Sequence, residues 1–131
     1  MADIYLQFST VLHVGSADNA RAALAWLADE SNPVGFEFPD ERGFVATTDG
    51  CADGDIHLYA EHSGDPDNVL AFARKCGAEF RLPGKWGFAW AETCSRLRPG
   101  EFGGGAFVLH FADGSVDSLS LSGWLRACLD V

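Results

Sequence analysis

Between Lys85 and Ala91 the chain alternates large rings with small residues: Trp86, Phe88 and Trp90 against Gly87, Ala89 and Ala91. Only a β-strand, with its side-chain period of two, sorts such a run onto two faces. Three rings on one face mean a core wall, so this segment predicts a strand with small residues where a helix or backbone packs close. Ile4, Leu6 and Phe8 alternate with Tyr5, Gln7 and Ser9 in the same way and predict a second strand over 4–12.

Helical signals fall between the strands. Gly15-Ser16 breaks the first strand, and Ser16 or Asp18 can cap a helix running to about Asp29. Ala20, Ala23, Leu24 and Leu27 form its core stripe, with Trp26 on the flank. Asp65-Pro66-Asp67 is a strong helix start, with an N-cap, a proline at the first position and an acid near the positive dipole end. Val69, Phe72, Ala73 and Cys76 are its buried stripe, and Gly77 is the expected stop.

The remaining segments predict further strands. Two short apolar runs around Pro39-Asp40-Glu41-Arg42-Gly43 suggest a hairpin over 34–48, and Ile56–Ala60 a strand. Gly103-Gly104-Gly105 opens a strand ending near Phe111. Asp113-Gly114 suggests a two-residue hairpin returning along 116–121. Ser122 is expected to cap a last helix that buries Trp124, Leu125, Cys128 and Leu129. The sum is a single α+β domain over 1–131, a mainly antiparallel sheet of five to six strands with two to three helices on one face.

The charge is uneven. The formal net charge is −10, yet residues 1–73 hold thirteen acids against Arg21 and Arg42, while residues 74–131 are near neutral. Glu37, Asp40, Glu41, Asp49, Asp53, Asp55, Glu61, Asp65 and Asp67 fall within 31 residues, largely on expected turns. Such a zone repels phosphates, which argues against direct nucleic-acid binding, and attracts basic protein surfaces. The competing reading is an acidic face that only keeps the chain in solution. No apolar run approaches the ~20 residues of a membrane span. Met1-Ala2-Asp3 carries no basic or apolar signal region, so a cytoplasmic location is expected.

Catalytic and metal signals are sparse. Cys51, Cys76, Cys94 and Cys128 lie 25, 18 and 34 residues apart, without a zinc-like pair. Asp49, Asp53 and Asp55 surround two glycines but lack the spacing of a calcium loop, and an ordinary acidic turn is preferred. His13, His57, His62 and His110 are scattered. No cofactor and no metal is expected. Cys94 with Arg96, Arg98 and Gly104 of the triple glycine forms an alternative pocket, where the arginines could activate the thiol.

The stretches Trp86–Ser95 and Phe102–Leu109 resemble segments of small acidic proteins of bacterial mobile elements. The resemblance covers residues 80–131 best and assigns no catalytic residue. It implies a context in which inhibitors of host defence, of the anti-CRISPR and anti-restriction kind, occur. The combined expectation is a non-enzymatic, protein-binding inhibitor whose nine acids dock on a basic site, as a nucleic-acid mimic, with Trp26 as an apolar anchor if it is exposed. A small enzyme or ligand-binding domain using Cys94, Arg96, Arg98 and the triple glycine is the alternative.

Overall fold

The structure, a computed structural model, describes residues 3–130; Met1 and Ala2, read above for an export signal, lie outside them. The chain runs β1 (Ile4–His13), α1 (Ala17–Ala28), a 3₁₀ turn (Pro39–Glu41), β2 (Val45–Thr47), β3 (Asp55–Ala60), α2 (Pro66–Phe80), β4 (Lys85–Cys94), β5 (Gly103–His110), β6 (Val116–Ser120) and α3 (Leu121–Leu129). One six-stranded sheet has the order β2-β3-β1-β4-β5-β6. Every neighbouring pair is antiparallel. Through β4 this is a split β-α-β arrangement, in which each helix connection skips one strand. The β5–β6 meander then extends the sheet on the β4 side.

Strand register puts the apolar half of each alternation on the same side. Phe8 and Leu12 of β1, Ile56 and Leu58 of β3, Phe88 of β4, and Phe107 and Leu109 of β5 are all buried. The expected aromatic wall is present: Phe88 meets Phe8 at 5.1 Å and Phe107 edge-on at 4.7 Å, centroid to centroid. Over this face lie α1, which turns the small Ala20 and Ala23 inward, and α2, which buries Val69, Phe72, Ala73 and Cys76 at i, i+3, i+4 and i+7. Ser16 caps α1 and Asp65 caps α2, each accepting from a backbone N–H three residues on. Trp26 stacks on Phe80 at 5.3 Å with Lys75 Nζ 4.7 Å over its ring, so it joins the two helices rather than standing out as an anchor.

Four expectations need correction. No hairpin forms over 34–48: Phe36 and Phe44 turn into the core, 6.0 Å apart, and Phe44 reaches Phe72 at 5.8 Å. Val45–Thr47 alone adds a short strand, so the hairpin is β2–β3. Gly77 does not end α2, which continues to Phe80 with Arg81 in the left-handed region at φ 52°. Gly77 is small because the Phe111 ring occupies the place of a Cβ. The β5–β6 turn is longer than two residues, closed by Gly114 N–H to His110 C=O at 2.8 Å and His110 N–H to Ser115 C=O at 2.9 Å.

The last correction concerns α3. It is capped by Ser120 rather than Ser122, and it buries nothing: Trp124 is 57% and Leu129 73% exposed. Strand β6 passes into the helix without a loop, because Ser120 both ends the strand and accepts from Gly123 N–H. Register places Ser118, Ser120 and Gly105 on the helix-bearing side of this half of the sheet. They offer α3 no apolar knobs to pack against.

Phe72→Ala should cost about 3–5 kcal/mol, since a fully buried ring would leave a cavity between α2 and the sheet. Gly104→Ala should also destabilise: its φ is 147°, and a Cβ there would overlap the Trp90 carbonyl oxygen. Chemical denaturation of both variants checks these values.

Candidate functional site

The nine acids divide between the two ends of β3. Asp49 and Asp53 sit in the β2–β3 loop and Asp55 opens the strand, beside the start of α1. Val14 N–H donates to Gly54 C=O at 2.7 Å, tying that loop to the end of β1. At the other end, Asp65 accepts from Asn68 N–H at 3.2 Å, and its own N–H donates to Gly43 C=O at 2.9 Å. Asn68 Nδ2 donates to Arg42 C=O at 3.0 Å, which brings the 36–44 segment, with Asp40 and Glu41, to the start of α2. Six strand residues separate the two groups by roughly 20 Å. They share one edge of the sheet without meeting at a point.

Two of the nine have local work. Asp65 caps α2, and Asp55 pairs with His13 Nδ1 on the neighbouring strand. The other seven, Glu37, Asp40, Glu41, Asp49, Asp53, Glu61 and Asp67, are exposed. Among the described residues, none of these seven is in an ion pair. Arg42, the only Lys or Arg between 37 and 67, is turned inward. Its Nε donates to Phe44 C=O at 3.1 Å, one terminal nitrogen donates to Leu27 C=O at 3.3 Å, and the guanidinium lies 5.4 Å from the Phe44 ring centre. Burial lowers its pKa from the ordinary arginine range. The edge therefore keeps its negative field.

Between the two acidic groups, the uncovered side of the sheet forms a shallow depression of about 850 Å³, floored by Ser9, His57 and Tyr59 and rimmed by Asp49 and Glu61. Ser9 Oγ and His57 Nε2 are 2.7 Å apart, and the His57 and Tyr59 rings are 4.8 Å apart. Sequence reasoning missed this grouping. It depends on the β1–β3 register, which sets Val11 opposite His57 and Ser9 opposite Tyr59 across 46 and 50 residues. Among the described residues no carboxylate hydrogen-bonds the other His57 nitrogen, so the pair lacks the third group that orients a catalytic base. It can offer a ligand a hydroxyl, an imidazole and a phenol.

The alternative pocket comes together only in part. Cys94 is buried, with its Sγ 3.0 Å from Glu101 Oε2. Arg98 forks the same carboxylate at 2.8 and 2.7 Å. The thiol's partner is thus a carboxylate, not an imidazole. Gly104 pairs with Ala91, and its smallness serves the close approach of β4 and β5. Arg96 is exposed. Among the described residues no three His, Cys, Asp or Glu side chains cluster as metal ligands. No helix of the described residues is long and apolar enough to cross a membrane. No family model matches the chain, no curated protein is similar to it, and no solved structure matches it.

Burial pushes the Cys76 thiol up to about 12. Alkylation at neutral pH should therefore label Cys51 and Cys128 in the native, dilute protein, with Cys76 and Cys94 reacting only on unfolding; peptide mass spectrometry reads the order. Rapid native labelling of Cys94 would instead favour a reactive thiol. The Cys94 thiol, followed by Arg98, holds the Glu101 carboxyl below its usual value. A depressed carboxylate contributes stability above its unfolded pKa, lost as pH falls through the folded one. Glu101→Gln should flatten part of the acid-side decline in melting temperature measured between about pH 7 and pH 3.

Proposed function

We propose that the protein is a non-enzymatic binding protein whose acidic β2–β3 edge docks on a basic surface of another protein. The observation that carries this reading is the two groups of exposed carboxylates, seven in all from Glu37 to Asp67, none in an ion pair among the described residues, with Arg42 withdrawn into backbone contacts. A field of one sign along an edge steers a cationic partner and holds off phosphates. The partner class that fits is a protein with a nucleic-acid-handling site, since such sites are basic and the carboxylates take the place of phosphates there. Occupying that site makes the protein an inhibitor. The depression between Asp49 and Glu61 provides a seat for one cationic side chain over Tyr59 and His57.

Affinity capture from a bacterial lysate, at low and then high salt and after nuclease treatment, tests the reading. A single basic nucleic-acid-binding protein should be retained at low salt and released at high salt. The triple variant Asp40→Lys, Glu41→Lys and Asp53→Lys should lose that capture while keeping its circular dichroism and melting temperature. Equal capture by the variant would overturn the proposal.

A further inference from the structure

A run of exposed apolar side chains lies at the opposite edge of the sheet. In α3, Leu121, Trp124, Leu125, Cys128 and Leu129 fall at i, i+3, i+4, i+7 and i+8, one continuous stripe along the helix. All are exposed, and Phe102 beside them is 47% exposed. Phe102, Leu125 and Leu129 together line a groove of about 480 Å³. A helix with this pattern normally faces a core, yet among the described residues no element covers it. We infer that a second copy of the chain does, the two α3 helices packing together about a two-fold axis.

Two observations select a second copy over another occupant. The first is area: the exposed parts of Leu121, Trp124, Leu125, Leu129 and Phe102 come to roughly 550 Å² of residue surface, toward the upper end for one patch on a monomer. That is most of the ~800 Å² that each partner brings to a standard interface. The second is charge. Chains of net charge −10 repel each other, so self-pairing must use the part where the field is weakest. Residues 74–131 carry seven basic and six acidic side chains, and the groove beside the stripe is lined by one of each, Arg126 and Asp130. The acidic β2 edge lies five strand spacings from β6, roughly 24 Å away and well beyond a Debye length of about 8 Å. Pairing through α3 sets like meeting like at a near-neutral end, with both acidic edges facing outward.

Sedimentation equilibrium tests this on the full chain. The wild type should weigh twice its 14.1 kDa at tens of micromolar, and dimerisation should tighten with added salt as the residual repulsion is screened. Trp124→Glu with Leu125→Glu should give a monomer with unchanged circular dichroism, because both side chains are exposed in the single chain. Cys128 supplies an independent reading: its alkylation rate should fall at least several-fold as protein concentration rises, while that of Cys51, away from α3, stays constant. A wild type that remains monomeric, or a dimer that the double variant retains, would overturn the inference. The acidic-edge triple variant should still dimerise, so this result stands or falls apart from partner capture.

Discussion

Two helices cannot cover six strands. Packed side by side, α1 and α2 span roughly 20 Å, whereas six strands spread over roughly 24 Å between the outermost axes, and more with their side chains. Their apolar stripes settle where the strands are richest in buried side chains, over β3, β1, β4 and the near part of β5. Phe36 and Phe44 close the gap at the β2 side, where a third helix would otherwise be needed. Beyond β5 the same sheet face carries Ser118 and Ser120, and the covering stops.

The two edges that result differ in physical character. At the β2 side the chain turns repeatedly, and its turns are built from aspartate, glutamate and glycine. These residues suit solvated backbone; Arg42 is committed to carbonyl oxygens, and Arg21, which borders Asp53, pairs with Asp18. At the β6 side the chain ends in an amphipathic helix on a nearly neutral surface. One edge gathers negative potential; the other gathers unsatisfied apolar area. Long-range attraction suits the first and short-range packing the second. The two surfaces can act at once because most of the sheet lies between them.

Much of the fold was legible because it depends on local patterns that also suit the tertiary structure. The Trp86–Ala91 alternation is a strand in the centre of the wall it predicts, and Asp65-Pro66 starts a helix as its cap chemistry requires. Misreadings arose where a residue served a distant partner. Gly77 is a helix stop by local rules, but it accommodates Phe111, 34 residues away. Phe36 and Phe44 look like strand residues because rings favour strands, yet they are plugs held by a turn in which Asn32 bonds the Phe36 backbone in both directions. Of the candidate sites, the exposed acids could be named one by one, while the Ser9–His57–Tyr59 grouping was invisible because strand register creates it.

By itself the sequence determined the α+β class, the buried faces of β1, β4, α1 and α2, and the concentration of acid in the first half, since these follow from side-chain period and composition. Tertiary structure alone decided that the acids spread along one edge in two groups, that Trp26 joins two helices, and that α3 stands uncovered. Each of those outcomes depends on which elements lie side by side. Period-two and helical patterns say that a face must be buried; they do not say against what.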